Sequence, residues 1–158
     1  MQHQALQISR KIEYGLRAMV CLAAQAPGTV VPFREIARRM DVPEDFLAKI
    51  LKTLVGRGLV TSARGAHGGY RLTKPAKEIT FLNVIEAVEG PFVVSLCGGG
   101  KEHESCRMTR ACTMYGVWQR GQERMLEVYR SATLDQLAMA ELRPSPATLT
   151  ATAAAAHG

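Results

Sequence analysis

Several kinds of sequence feature are missing from this 158-residue chain, and each absence narrows what it can be. No stretch approaches the roughly 18 consecutive apolar residues that a membrane helix needs. The first residues, MQHQALQISRK, lack the apolar segment of a secretory signal. No nucleophile–base pair, phosphate-binding loop or cofactor fingerprint is recognisable, so we do not expect an enzyme. We therefore expect a cytoplasmic protein that does not bind membranes.

The chain contains four cysteines. In the reducing cytoplasm, cysteines are more often metal ligands or reactive thiols than disulfides. Cys97, Cys106 and Cys112 follow the spacing C-x8-C-x5-C in one segment, which indicates a shared ligand rather than core packing. Cys21 lies in an apolar stretch, and we expect it to be a small buried side chain.

Positive charge is concentrated in the first half of the chain. Residues 1–75 contain 12 Lys or Arg and 5 Asp or Glu, a balance of +7, whereas residues 76–158 contain 8 and 9, a balance of −1. A basic half is typical of proteins that bind the phosphate backbone of nucleic acids. A basic surface that serves only solubility would have the same composition, so charge alone leaves both interpretations open.

Apolar periodicity predicts three helices in the basic half, over residues 12–26, 33–40 and 43–56. The apolar positions of the third are Phe46, Leu47, Ile50, Leu51 and Leu54. A short turn at residues 41–42 makes the second and third helices a helix-turn-helix. Strands are predicted at 59–62 and 70–73, joined by a glycine-rich connection typical of a β-hairpin wing. Thr80 can cap a further helix over 81–88.

A longer helix is predicted after an irregular loop over residues 93–111. Its apolar residues recur at alternating spacings of four and three, which is a heptad seam: Met114, Trp118, Gly121, Met125, Val128 and Ala132. Such a seam on a small domain favours a homodimer, and packing onto its own domain is the alternative. Thr133 and Gln136 resemble a capping box for a short final helix, and the tail from Pro144 should be disordered.

These elements predict a mainly α fold with a small β-hairpin wing. A winged helix-turn-helix DNA-binding domain occupies residues 1–91 and a cysteine loop residues 92–112. The dimerisation helix and a short terminal helix follow over 113–143, and the tail occupies 144–158. A symmetric dimer presents two recognition helices about one DNA turn apart, so the operator should be near-palindromic double-stranded DNA.

The string LKTLVGRGLVTSARGAHGGYRLT at residues 51–73 closely resembles the signature of the Rrf-two (Rrf2) family of winged-helix transcription regulators. Further matching strings are KIEYGLRAM at 11–19, VPEDFLAKIL at 42–51 and ITFLNVIEAVEGP at 79–91. The resemblance covers about residues 6–138. The family includes iron–sulfur cluster regulators and repressors that sense nitric oxide.

The resemblance implies that the third helix enters the DNA major groove and the wing reaches the flanking minor groove. There Glu44 can accept from a cytosine amino group and Lys49 can donate to guanine, although the helix dipole favours a carboxylate at Glu44 in any protein. Arg64 suits a narrow minor groove, and a solvated turn residue is the alternative for His67. The DNA-binding residues implied are Pro43, Glu44, Asp45, Lys49, Lys52, Arg64, His67, Gly68, Gly69 and Tyr70.

The resemblance also implies that Cys97, Cys106 and Cys112 bind an iron–sulfur cluster, of 2Fe–2S or 4Fe–4S type. The first cysteine gap is longer than the family's usual spacing. Glu13 precedes Tyr14 and Gly15, which matches an acidic ligand used by some members, and is predicted as the fourth ligand, donated by the other subunit. The implied function is a transcriptional repressor that leaves its operator when its cluster is damaged or missing. The signal would be nitric oxide, a change in redox state or the cell's supply of iron–sulfur clusters.

Rival interpretations remain for the cysteines. His103 could complete a zinc site of three cysteines and one histidine, although zinc ligand pairs usually have shorter spacings. A thiol switch without metal needs only one low-pKa cysteine and a partner. An iron–sulfur electron carrier is the third alternative, and its function would require neither a helix-turn-helix nor a wing.

Overall fold

The computed structural model describes residues 8–94, 108 and 111–141. That part is mainly helical with one antiparallel two-stranded hairpin, which confirms the predicted fold class. The elements are α1 (Arg10–Ala23), α2 (Phe33–Met40), α3 (Glu44–Gly56), β1 (Val60–Ala63), β2 (Gly69–Leu72), a 3-10 helix (Ala76–Glu78), α4 (Phe81–Glu89), α5 (Tyr115–Ser131) and α6 (Leu134–Glu141). Cys97, His103, Cys106 and the predicted tail lie outside the described residues.

A tight turn joins α2 to α3 and forms the helix-turn-helix. Asp41 ends α2 in a left-handed backbone conformation with φ 50°, which Asp tolerates better than most residues. The Val42 N–H then donates to the Ala37 carbonyl oxygen at 3.0 Å, and the Val42 side chain is buried. Pro43 was predicted as the first residue of α3, but its extended ψ of 134° makes it the cap before the helix.

The hairpin pairs Val60 with Leu72 and Ala63 with Gly69. Its first strand starts one residue later than predicted, because the Leu59 N–H donates to the Leu54 carbonyl oxygen at the end of α3 (3.1 Å). Its second strand starts one residue earlier, at Gly69. The segment before α2 extends the sheet, since Val31 and Tyr70 exchange two backbone hydrogen bonds of 2.9 Å.

The core lies between α1, α3 and α4. Gly15 of α1 permits close contact with α4, since a Cβ there would lie 2.9 Å from Val88 Cγ2. Thr80 and Asn83 form a capping box at the start of α4, which confirms the predicted cap. The fully buried large side chains are Met19, Ile36, Leu47, Ile50, Leu51, Leu54, Ile79, Ile85 and Leu134.

The last two helices differ in how they meet this core. Helix α6 returns to it: Leu134 is fully buried and its N–H donates to the Ile79 carbonyl oxygen at 2.9 Å. The Gln136 side chain accepts from the Thr133 N–H at 3.2 Å, as one half of the predicted capping box. Helix α5 buries none of its residues completely and touches the body through Tyr129, whose ring lies 5.0 Å from Phe81 and 5.3 Å from Phe92.

Candidate DNA-binding surface and cysteine site

Helix α3 has one anchored face and one polar face. Leu47, Ile50, Leu51 and Leu54 are each at most 1% exposed and fix the helix to the core. The opposite face carries the predicted recognition residues, and all of them are exposed: Pro43, Glu44, Asp45, Lys49 and Lys52. None of these side chains makes an ion pair within the described part of the chain. The helix therefore presents donors and acceptors on a rigid support.

The start of α3 also explains its charge pattern. Glu44 and Asp45 lie in the first turn, where the partial positive charge of the helix terminus stabilises carboxylates. Neither side chain caps the helix, because the cap position is occupied by Pro43. No side chain forms a capping hydrogen bond there. Both carboxylates therefore remain available to a ligand as well as serving the helix dipole.

The wing tip projects two of the predicted DNA contacts. Arg64 and His67 are exposed in the connection between β1 and β2. Gly65 has φ 104°, and a Cβ at Gly68 would lie 2.7 Å from the Ala63 carbonyl oxygen, so the turn needs glycine at both positions. The backbone conformation therefore holds Arg64 at the tip.

Two further predicted DNA contacts lie on the inner side of the wing. Gly69 is buried, and a Cβ there would lie 2.2 Å from the Val31 carbonyl oxygen. Tyr70 is half-buried against the core and bonds Val31 through its backbone. Their placement gives both residues a structural role, namely joining the wing to the segment before α2, and their contact with DNA stays a prediction.

An aromatic side chain beside the recognition face is exposed, whereas the sequence predicts it among the buried positions of α3. Phe46, predicted on the apolar positions of α3, is 54% exposed. Its ring meets Tyr14 of α1 edge-on, with centroids 6.0 Å apart. The helical phase gives a signal that could have identified it: Leu47, Ile50, Leu51 and Leu54 form a complete stripe without Phe46.

Of the cysteine site, the structure places two predicted ligands. Cys112 is half-buried three residues before Tyr115, where α5 begins, and forms no disulfide within the described residues. Glu13 lies on α1 with a side chain 49% exposed and accepts from Arg17 at 2.5 Å. Within the described ranges of one chain, no group of three or more His, Cys, Asp or Glu residues is placed to hold a metal ion.

The predicted dimer seam is mostly exposed. Met114 is 60% exposed, Trp118 42% and Val128 61%, and Gly121 has no neighbour within 4 Å of an added Cβ. Met125 differs, because it is half-buried and lines a small apolar cavity with Ile12, Ile85 and Phe92 of its own chain. Met125 therefore sits at the border between the exposed face and the subunit's own body.

These features define a winged helix-turn-helix protein of the transcription regulator class. A family model described as Rrf2, iron-dependent transcriptional regulator, matches residues 8–140. The chain belongs to the Rrf2 family. In the part of the chain that the structure covers, no helix combines the length and the apolar character needed to cross a membrane.

Individual relatives agree with this assignment. The chain is 31% identical to the HTH-type transcriptional regulator IscR of Pectobacterium atrosepticum, over 84% of this chain and 79% of that protein. Among solved structures, it resembles CymR, the global cysteine regulator of Bacillus subtilis, with a TM-score of 0.70, 30% identity, and coverage of 85% and 98%. It also resembles the oxidised form of Staphylococcus aureus CymR, with a TM-score of 0.66, 30% identity, and coverage of 84% and 95%.

Proposed function

We propose that this protein is a homodimeric repressor that binds a near-palindromic operator and releases it when a bound iron–sulfur cluster is damaged. The observation that carries the DNA-binding part is the two-faced helix α3. Four side chains fix its inner face, and the exposed face presents Glu44, Asp45 and Lys49 beside the Arg64 wing tip. Acidic and basic side chains in this arrangement can read cytosine and guanine edges in the major groove.

The cofactor part is supported by the donor set and by the family description, which names iron dependence. Cys97, Cys106, Cys112 and Glu13 of the partner subunit would supply three thiolates and one carboxylate, a set that fits an iron–sulfur cluster with four protein ligands. When bound, the cluster supplies a centre that reacts with nitric oxide and oxidants. Glu13 is exposed on α1, so its carboxylate is accessible to a second subunit.

The positions of Cys112 and Glu13 suggest how the state of the cluster could affect DNA binding. Cys112 lies just before α5, and Glu13 lies on α1, which packs against α3. A cluster bound by both residues would therefore connect α5, the proposed dimer helix, to α1, the helix against which α3 packs. To act as a switch, one state of the cluster must favour one arrangement of the two subunits by a free-energy difference. A difference of about 1.4 kcal/mol would change operator affinity tenfold.

A second function is supported by a specific comparison. S. aureus CymR was solved in an oxidised form, so a metal-free thiol switch at Cys97, Cys106 or Cys112 is the alternative. Anaerobic purification of the full chain separates the two. We expect a visible absorption spectrum with iron and acid-labile sulfide in the protein. Colourless protein without metal would favour the thiol switch, and one zinc per chain would favour a zinc site.

DNA binding is tested by selection from a random-sequence duplex pool with the anaerobic protein. The expected product is a near-palindromic sequence whose affinity falls after treatment with nitric oxide or air. Recovery of no preferred sequence would contradict the proposed function, whatever the metal content.

The ligand assignment is tested by comparing Glu13→Ala with His103→Ala after anaerobic reconstitution. We expect only Glu13→Ala to alter the visible circular dichroism and shorten the cluster's lifetime in air. Glu35→Ala is the matched control, because Glu35 makes the same i,i+4 ion pair with Arg39 (3.4 Å) on α2. If Glu13→Ala behaves like wild type while His103→Ala changes the signal, the fourth ligand is His103.

A further inference from the structure

Phe46 is a large apolar side chain exposed at the start of the recognition helix. It follows Asp45 and precedes Lys49 by three residues, so it borders the polar face of α3. It is 54% exposed although the four leucine and isoleucine side chains of the same helix are fully buried. The buried stripe of α3 is complete without it, and Phe46 is not part of the hydrophobic core.

The ring is held in position by its neighbours. Tyr14 meets it at an interplanar angle of 65°, an edge-to-face geometry favoured by aromatic pairs. Arg17 lies over the Tyr14 ring, 5.9 Å from its centroid, and its Nη1 donates to the Met40 carbonyl oxygen at 3.3 Å. Tyr14 and Arg17 therefore connect Phe46 to α1 and to the helix-turn-helix turn. Phe46 is thus supported from one side and open on the other.

An apolar group at this edge has a definite counterpart in DNA. In the major groove, thymine alone among the bases presents a methyl group, and phenylalanine is one of the side chains that contact it. The neighbouring Asp45 and Lys49 supply polar groups for hydrogen bonding. The exposed start of α3 therefore combines hydrogen-bonding groups with an apolar surface of the kind that a thymine methyl would cover.

We infer that Phe46 is a specificity-determining residue that contacts the C5-methyl group of a thymine in each operator half-site, with Tyr14 and Arg17 as its positioning residues. This inference rests on the proposed function, since it requires α3 to enter the major groove. It predicts a required thymine that no hydrogen-bonding side chain of α3 would specify.

Deoxyuridine substitution tests the inference, because uracil differs from thymine only by the missing methyl. Each thymine of a selected operator is replaced in turn, and affinity is measured with the full-length anaerobic protein. Wild type should lose about fourfold in affinity at one position per half-site, the value expected for one buried methyl. Phe46→Ala should bind the thymine and uracil operators equally, and Phe46→Leu should keep part of the discrimination.

Val55→Ala is the matched control, because Val55 is also an exposed apolar residue of α3 (37%) but lies at its far end. It should discriminate thymine from uracil as wild type does. Tyr14→Ala should reduce the discrimination while leaving the dimer intact. If Phe46→Ala keeps the wild-type discrimination, or if no thymine is sensitive to loss of its methyl, the inference is wrong although operator binding stands. Absence of any preferred operator would instead overturn the proposed function, and the inference with it.

Discussion

The DNA-binding half and helix α5 differ in how completely one subunit buries their apolar residues. Among the residues that the structure describes, all but two of the buried apolar side chains lie between Ile12 and Val88, and the other two belong to α6. Helix α5 has 17 residues and buries none of them completely, while Met114, Val117, Trp118 and Val128 remain exposed. The first region is complete in a single chain. The second has an apolar face that is exposed in the described part of one chain.

The difference indicates which properties should depend on a second subunit. A helix whose apolar face remains in water gains stability by packing against a partner helix. The helix-turn-helix should keep its fold in a monomer, whereas α5 should need the dimer. Operator affinity should depend on both regions, since the proposed dimer would link two half-site contacts.

The largest expected effect is from Val128→Glu, which should convert the dimer to a monomer. Val128 is 61% exposed in one chain, so the change does not disturb the subunit's own core, but in a dimer it would bury an unpaired charge. Light scattering should give the monomer mass, with circular dichroism close to wild type and poor operator affinity. A dimer as stable as wild type would mean that this face is not the interface.

Arg130→Glu is the control for that experiment, because it places the same side chain at another exposed position of α5 and should leave the dimer intact. Met125→Glu should also give monomer with poor operator affinity. It is less selective, since Met125 lines a cavity of its own subunit and its replacement would also perturb the core.

Changes on the recognition face should affect DNA binding without affecting the dimer. Lys49→Ala and Arg64→Ala should each weaken operator binding, because both side chains are exposed on the proposed DNA surface. If Lys49 reads a base, its loss should cost roughly 1–3 kcal/mol and relax specificity at one position. If it meets only phosphate, all sequences should weaken alike. Unchanged affinity in both variants would contradict this placement of α3 and the wing.

The two regions also differ in how well the sequence predicts them. The presence of helices α1 to α4 follows from apolar periodicity, because each buries its own stripe in the same chain. The end of α1 is less well predicted, since the helix stops at Ala23 and not at residue 26 before Pro27. Periodicity could not decide that Phe46 lies outside its helix's buried stripe or that Met125 turns partly inward, because both depend on neighbouring elements. Periodicity also gives no sign that Gly69, a predicted DNA contact, packs against Val31, because the two residues are distant in sequence.

The cysteine site shows a different limit of sequence reasoning. Spacing identifies Cys97, Cys106 and Cys112 as a group, and the family resemblance suggests Glu13. Whether these residues meet depends on how two subunits are arranged, which the pattern of one chain does not encode. The ligand set therefore stays a prediction.

Alanine substitutions of one glycine in α1 and one in α5 should show how differently the two helices are packed. The expected change in stability is smaller than the effects above. Gly15→Ala should lower the free energy of unfolding, because overpacking against the branched Val88 side chain costs about 1–3 kcal/mol, against a helix-propensity gain of about 1 kcal/mol. Gly116→Ala in α5 has no neighbour within 4 Å and should be neutral or stabilising. Thermal unfolding of both variants checks this. Equal melting temperatures would contradict the close contact between α1 and α4.

The smallest expected effect concerns a positive charge on α2, the first helix of the helix-turn-helix. Such helices cross the DNA backbone, and Arg38 is exposed there without a partner among the described residues, whereas Arg39 is neutralised by Glu35. Arg38→Ala should weaken binding to all sequences alike and reduce the slope of log affinity against log salt by about 0.9, the value for one lost phosphate contact. Arg130→Ala removes the same charge from α5 and should leave the slope unchanged. If both variants change it equally, overall charge rather than a contact from α2 explains the salt dependence.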